Sequence, residues 1–257
     1  RYPEHHRDPF MEFPGATATP INHNVPPSSM FLLVSPCSIE EASRSLAADI
    51  IDVKRPVEGS LGANFPWVIR AVKGMTVKPV SAAIGDFDYR PGSAALAAYG
   101  AACAGADYVK IGLRFDGRDR AREVIEAVVR AVKGEFPGKS VVIAAYSDFA
   151  RLGTIPPFEA ACLAAEGGAD VAMIDTGLKD GRSTFDFMDE EARAGFTEVN
   201  RGFGLRTALA GSLRFEDIAT LKRINPDIIG VRGMVCGGDR SATIEPALVE
   251  KALRMIG

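Results

Sequence analysis

Short apolar runs alternate with longer amphipathic segments along most of the chain. Eight runs rich in β-branched and other apolar residues predict strands at 31–35, 49–53, 79–84, 107–111, 140–145, 170–175, 205–210 and 227–231. A helical pattern follows each run; segment 116–134, for example, carries apolar residues near positions i, i+4, i+7 and i+8. The pattern therefore predicts eight consecutive strand–helix units.

Regular alternation of strand and helix predicts a parallel sheet with right-handed crossovers. Eight units between Met30 and Gly257 fit a single (β/α)8 TIM barrel close to its minimum size. A doubly wound open sheet is the alternative. The even spacing of the units and the lack of a GxGxxG motif after the first predicted strand favour the barrel.

The segment after the second predicted strand contains turn and helix-start signals. Gly59 and Gly62 predict a structural turn, with a lid or a clamp for a second anionic group as the alternatives. A helix is then expected with Asn64 as its N-cap, Pro66 in its first turn and Gly74 at its end.

Residues 1–29 differ in composition from the rest of the chain. They are rich in Pro and Thr, lack periodicity and an apolar signal-peptide core, and hold all three histidines. We expect a disordered leader or an appended tail there, followed by a catalytic domain from residue 30 to residue 257. Any chemistry of that domain must then proceed without histidine, the commonest general base.

Composition and charge exclude several classes of function. A formal net charge of −3 argues against a general binder of nucleic acid or of anionic membranes. No apolar run reaches the roughly 18 residues needed to cross a bilayer. The four cysteines lie far apart without metal-ligand spacing, which favours reduced thiols in a cytoplasmic protein and no metal site.

Charged residues cluster at the predicted strand ends, where such barrels carry their active sites. Lys54, Lys110 and Lys179 lie at or just after the ends of three even-numbered strands. Asp52 and Asp175 stand beside the first and the third of these lysines. Asp86 and Asp148 follow the third and fifth predicted strands.

One interpretation of these residues is purely structural: a set of ion pairs at the barrel mouth. Buried ion pairs roughly break even in stability, so three lysines at one barrel mouth favour catalysis. A lysine crowded by cations or by apolar walls has a depressed pKa and exposes a neutral amine. Such an amine attacks carbonyl groups and forms a Schiff base, while a nearby carboxylate moves protons.

Glycine-rich loops after the seventh and eighth predicted strands indicate a phosphate site. Backbone N–H groups of these two loops commonly hold phosphate in (β/α)8 barrels. The candidate phosphate-binding residues are Gly211, Ser212, Arg232, Gly233, Gly237, Gly238 and Arg240.

Three runs carry a resemblance to a known family: DIIDVKRPVEGSLGANFPWVI, GADYVKIGL and AMIDTGLKDGRSTFDF. Together with the rest of residues 30–257, they resemble the (5-formylfuran-3-yl)methyl phosphate synthases of methanofuran biosynthesis. The resemblance implies a TIM-barrel lyase that joins two glyceraldehyde-3-phosphate molecules into 4-(hydroxymethyl)-2-furancarboxaldehyde phosphate. One phosphate and two waters are lost, and neither a metal nor an organic cofactor is needed.

The resemblance also implies roles for individual residues. Lys54 matches the Schiff-base lysine of the family and Asp52 the aspartate before it, which we expect to orient Lys54 and to shuttle protons. Lys110, Asp175 and Lys179 match the remaining catalytic positions.

The expected partner is a small triose phosphate, and we also expect a homo-oligomer. A class I aldolase acting on another sugar phosphate and a non-catalytic barrel that binds phosphorylated metabolites are the alternatives.

Overall fold

The computed structural model describes residues 30–257, so the predictions for residues 1–29 lie outside the described residues. Eight parallel strands close into a barrel in chain order, with the eighth strand pairing to the first. This confirms the (β/α)8 barrel over the open sheet. The strands are β1 Phe31–Val34, β2 Ile50–Val53, β3 Val80–Phe87, β4 Tyr108–Leu113, β5 Ser140–Tyr146, β6 Val171–Asp175, β7 Arg206–Leu209 and β8 Ile228–Val231.

Helices follow the strands on the outside of the barrel, as the pattern predicts. The helix expected within 116–134 is confirmed. The fifth unit has a short additional helix before its main one. The helices are α1 Ile39–Arg44, α2 Pro66–Lys73, α3 Pro91–Cys103, α4 Arg118–Lys133, α5 Phe149–Leu152, α6 Pro157–Glu166, α7 Glu190–Gly202, α8 Ile218–Ile224 and α9 Pro246–Ile256.

Each strand divides its side chains between two cores because successive residues point to opposite faces. In β2, Ile51 and Val53 belong to the layer between the sheet and the helices, whereas Ile50 belongs to a smaller cluster inside the barrel. Asp52 follows Ile50 on the inner face. The barrel interior therefore has an apolar floor, and its polar groups lie above that floor toward the strand ends.

Strand β3 extends beyond its predicted end. Its pairing with β4 shifts register between Ala83 and Asp86, next to Gly85 with a φ of +134°. Beyond the shift, Asp86 pairs with Gly112. The sequence showed Asp86 only as a loop residue, because an irregularity in register interrupts the apolar pattern that predicts a strand.

The N-cap prediction for α2 is wrong. Phe65 occupies the cap position and makes no side-chain capping bond, while Pro66 opens the helix and Gly74 ends it as predicted. Asn64 lies one residue too early to cap, and its side-chain amide donates to the carbonyl oxygens of Cys37 at 3.0 Å and Lys54 at 3.3 Å. Asn64 therefore ties the backbone of Lys54 to the loop after β1.

Residues 30–257 show neither a membrane-spanning helix nor a metal cluster. Within this range no helix has the length and apolar character needed to cross a bilayer. The described Asp, Glu and Cys residues form no group of three or more that could hold a metal ion. All four cysteines of the sequence lie in this range as free thiols.

Candidate functional site

A cavity of about 690 Å³ opens at the carboxyl ends of the strands. The three predicted lysines and Asp175 line it, as do all the residues of the predicted phosphate site. Asp52 lies just below, fully buried. Barrel closure thus brings together groups that are far apart in the chain: Lys54 and Arg240 are separated by 186 positions.

Asp52 and Lys110 form a buried ion pair inside the barrel. The Lys110 ammonium donates to both carboxylate oxygens, at 2.8 and 2.7 Å, and both side chains are at most 1% exposed. The hydroxyl groups of Ser35 and Ser81 donate to the same carboxylate at 2.9 and 2.7 Å. Four hydrogen bonds therefore occupy Asp52.

This geometry corrects the expected role of Asp52. We expected it to orient Lys54, but among the described residues its hydrogen bonds come from Lys110, Ser35 and Ser81. Burial alone would raise the pKa of Asp52; the charges of Lys110 and Lys54 and the bonds from Lys110 and Ser81 outweigh burial and lower it. Asp52 is thus an ionised anchor for Lys110.

Asp175 and Lys179 form a second pair at the end of β6. The Lys179 ammonium donates to Asp175 at 2.6 Å and to the hydroxyl oxygen of Thr176 at 2.8 Å. Burial opposes ionisation of Asp175, but the charges of Lys179 and Lys54 and the bonds from Lys179 and the Thr176 amide lower its pKa. Lys179 stays 18% exposed, so this pair borders the cavity directly.

Of the three predicted lysines, Lys54 is the one that no carboxylate binds. It is 7% exposed and lines the cavity, and its ammonium makes no hydrogen bond to any residue in the described range. Burial lowers its pKa from 10.5 to about 8; Asp175 and Asp52 oppose this shift, while Lys110 and Lys179 add to it. About one molecule in ten then carries a neutral amine at pH 7.

The turn after β7 offers backbone donors to the cavity. Gly211 and Ser212 have successive positive φ angles of +97° and +54°. A Cβ atom at Gly211 would lie 2.2 Å from the hydroxyl oxygen of Thr184, so only glycine fits. In the described part of the chain, the N–H groups of Gly211, Ser212 and Leu213 have no protein acceptor. Consecutive amides of this kind suit an anion.

Arg232 lines the cavity, but its guanidinium is committed to the protein. It donates to both carboxylate oxygens of Glu41, at 2.8 and 3.1 Å, and to the carbonyl oxygens of Ser35 and Arg240. This arrangement favours a positioning role, in which Arg232 fixes the backbone of Arg240. The Arg240 side chain is left to face the cavity.

A tyrosine that sequence reasoning missed holds the loop after β2. The Tyr146 hydroxyl donates to Asp86, whose other oxygen accepts from the Leu61 amide at 3.0 Å. Burial, followed by the charge of Asp86, raises the pKa of Tyr146 well above 10. Gly112 leaves the space for this contact, since a Cβ atom there would lie 2.1 Å from the hydroxyl oxygen. Asp86 was noted as a strand-end residue, but nothing in the sequence marked Tyr146.

Asp148, the other strand-end aspartate, holds the loop after β6. Its two carboxylate oxygens accept from the amides of Gly177 and Leu178, at 2.7 and 2.9 Å. Both aspartates therefore shape loops, and neither lines the main cavity. The sequence also did not predict the hydrogen bonds from the Ser35 and Ser81 hydroxyls to Asp52, because a serine on a strand belongs to no motif that would indicate its partner.

Comparison with known proteins places the chain in one family. A family model described as 4-HFC-P synthase matches residues 32–253. The chain is 57% identical over 227 residues to a (5-formylfuran-3-yl)methyl phosphate synthase of Methanosarcina mazei, covering 86% of this chain and 97% of that protein. It is 50% identical over 218 residues to the synthase of Methanocaldococcus jannaschii, covering 82% and 93%. A putative synthase of Streptomyces griseus is 49% identical over 229 residues, covering 86% and 92%.

Solved structures resemble the barrel at low sequence identity. The 3-hexulose-6-phosphate synthase of Salmonella typhimurium is 21% identical, with a TM-score of 0.61 and coverage of 88% of this chain and 98% of that one. An orotidine 5′-monophosphate decarboxylase of Methanocaldococcus jannaschii is 12% identical, with a TM-score of 0.64 and coverage of 89% and 99%. These likenesses support the fold alone.

Proposed function

We propose a reaction for this chain from one premise: the chain belongs to the 4-HFC-P synthase family, whose model matches residues 32–253. It condenses two glyceraldehyde-3-phosphate molecules into 4-(hydroxymethyl)-2-furancarboxaldehyde phosphate, that is, (5-formylfuran-3-yl)methyl phosphate. All carbon of the two trioses enters the product, which keeps one phosphate; the other phosphate and two waters leave. The furan serves methanofuran-type cofactor synthesis in the cytoplasm.

The free, buried amine of Lys54 is the observation that carries this proposal. An imine forms when a neutral amine attacks a carbonyl carbon and the carbonyl oxygen leaves as water. Lys54 has the lowered pKa that this attack needs and faces the cavity. Lys110 and Lys179 are each bound to a carboxylate, so their nitrogen lone pairs are unavailable in this arrangement.

The two ion pairs suit different tasks. Lys179 and Asp175 border the cavity and are hydrogen-bonded to each other, so they can pass protons during triose isomerisation, aldol addition and dehydration. Lys110 is locked by Asp52 and presents a fixed positive charge toward the reacting centre. Asp52 does not itself line the cavity and acts as a positioning residue through Lys110.

The first triose phosphate binds with its phosphate at the loops after β7 and β8. The unpaired amides of Gly211 and Ser212 and the side chain of Arg240 supply donors and charge. Its carbonyl group then lies toward Lys54, which lines the same cavity, and forms an imine with the Lys54 amine as water leaves. Loss of a proton from the carbon next to the imine gives an enamine. The enamine attacks the aldehyde carbon of the second triose, and the aldehyde oxygen takes up a proton. Phosphate elimination, ring closure and dehydration follow, and aromatisation makes the sequence favourable.

The pH dependence of the reaction should report the Lys54 amine. Its pKa of about 8 means that kcat/KM for glyceraldehyde-3-phosphate rises roughly tenfold per pH unit below that value and levels off above it. Initial rates between pH 6 and 9.5 measure this profile. A profile that stays flat from pH 6.5 to 8.5 would contradict a nucleophilic lysine with this pKa.

The reaction itself is tested by incubating the protein with glyceraldehyde-3-phosphate. We expect a near-ultraviolet absorbance from the furan, its mass in the product fraction, and one inorganic phosphate released per furan. Triose consumption that yields an aldol phosphate without phosphate release would favour the class I aldolase. Saturable binding without consumption would favour the non-catalytic barrel.

A further inference from the structure

A second cavity, of about 490 Å³, opens beside the first one at the barrel mouth. Loops that follow the four even-numbered strands line it. The residues that matter are Gly59 and Ser60 after β2, Arg114 after β4, Gly177 and Lys179 after β6, and Arg240 after β8. Lys179 and Arg240 line both cavities, so the two spaces adjoin at these side chains.

The lining of the second cavity is strongly positive. Arg114, Lys179 and Arg240 contribute charge, and no lining residue is acidic, although the whole chain carries a net charge of −3. In the described range, neither arginine pairs with a carboxylate. Three arginines on nearby helices do pair, Arg118 and Arg122 with Glu166 and Arg151 with Asp180. Arg114 and Arg240 are therefore available to an anion.

The loop on the other side of this cavity is held in place. The Ser60 hydroxyl donates to the carbonyl oxygen of Thr176 at 2.8 Å, and Asp86 accepts from the Leu61 amide at 3.0 Å. Gly59, at a φ of +142°, packs so closely that a Cβ atom would lie 2.2 Å from an oxygen of Asp86. The cavity wall is thus held by specific bonds that join the loop after β2 to the loop after β6 and to strand β3.

We propose that the second cavity binds the phosphate group of the second triose phosphate, an inference that rests on the proposed function. Both substrates carry a phosphate dianion, and the donors after β7 and β8 hold only one of them. The guanidinium group of Arg114 presents paired N–H donors that match phosphate oxygens, and Arg240, which lines both cavities, adds positive charge between the two phosphates. Lys179, on the border of the two cavities, then lies between the reacting ends of the two trioses.

Arg114→Met tests this subsite because Arg114 lines only the second cavity. Imine formation on Lys54 needs one triose, whereas furan formation needs two. We expect kcat/KM for the furan to fall about 10- to 100-fold, the value of a lost charged hydrogen bond. Trapping of one triose on Lys54 by borohydride should stay within about twofold of wild type, since no first-site donor has changed. Arg130→Met, an exposed α4 arginine that lines neither cavity, is the matched control and should change neither quantity.

The other outcomes overturn the subsite. Equal losses in trapping and furan formation would place Arg114 in binding of the first triose. If Arg114→Met kept the wild-type kcat/KM for furan formation but was less inhibited by inorganic phosphate, the second cavity would bind the released phosphate and not a substrate. If the wild type makes no furan, the proposed function fails. Calorimetric titration with inorganic phosphate then tests the second phosphate site by itself. Two sites in the wild type and one in Arg114→Met would support the subsite, and equal numbers would refute it.

Discussion

Replacing Lys54 with methionine should lower furan formation by about 1,000-fold or more, as expected for the loss of a covalent nucleophile. Methionine keeps much of the buried aliphatic volume. The fold should survive because the Lys54 amine makes no hydrogen bond to the described residues and its burial already disfavours the charged form. Borohydride trapping with glyceraldehyde-3-phosphate, followed by peptide mass spectrometry, should locate the wild-type adduct on Lys54 and find none in the variant.

Two further variants sharpen this test. Lys54→Arg keeps a positive charge but cannot form the imine, so it should be as inactive as Lys54→Met; recovery of activity would point to an electrostatic role. Lys222→Met, which removes an exposed lysine on α8, should behave as wild type. A Lys54→Met enzyme with an adduct on Lys110 or Lys179 would keep the reaction class and reassign the nucleophile.

Asp52→Asn should destabilise the protein by about 3–5 kcal/mol at neutral pH, the usual cost of leaving one buried charge without its partner. The Lys110 ammonium is 1% exposed and would lose its counter-charge. Furan formation should fall about 100-fold or more, because Lys110 would no longer be held toward the cavity. Urea unfolding and initial rates, measured on the same preparations, give the two quantities.

The double variant Asp52→Asn/Lys110→Met separates stability from activity. Removing both charges should restore most of the free energy of unfolding but none of the activity. If the single variant were as stable as the wild type, the ion pair would not be the anchor that the geometry indicates.

The effect of Asp52 on stability should disappear in acid. Its folded-state pKa lies below the ordinary value of 3.8, so the ionised carboxylate stabilises the fold above that pH. This contribution is lost as the pH falls below 3.8 and through the lower folded-state pKa. The difference in free energy of unfolding between wild type and Asp52→Asn should therefore shrink below about pH 4.

The barrel and the location of the site could be predicted because both follow from short-range patterns. Short apolar runs that alternate with helical segments marked all eight strands in chain order. The two-residue period of side chains along a strand placed Asp52 and Lys54 on one face at the end of the second predicted strand. Active-site residues of such barrels lie at strand ends, so the three lysines could be assigned to a common mouth.

Partnerships within the site could not be predicted in the same way. Asp52 lies two residues from Lys54, yet its carboxylate binds Lys110, which is 58 positions away in the chain. Asn64 has the residue type of an N-cap but bonds to two carbonyl groups of neighbouring loops. Sequence proximity was a poor guide in both cases, because the nearest group in space came from another strand or loop.

The sequence by itself determined the eight strand–helix units and the presence of amines and carboxylates at the barrel mouth. Only the tertiary structure decided which of the three lysines lacks a carboxylate partner and that Asp52 forms its ion pair with Lys110. It alone also showed that Arg114 and Arg240 line a common second cavity. The physical reason is that the two kinds of feature depend on interactions at different separations along the chain. Side-chain direction along a strand is a local property, whereas hydrogen-bond partners depend on how closure and register bring distant strand ends together.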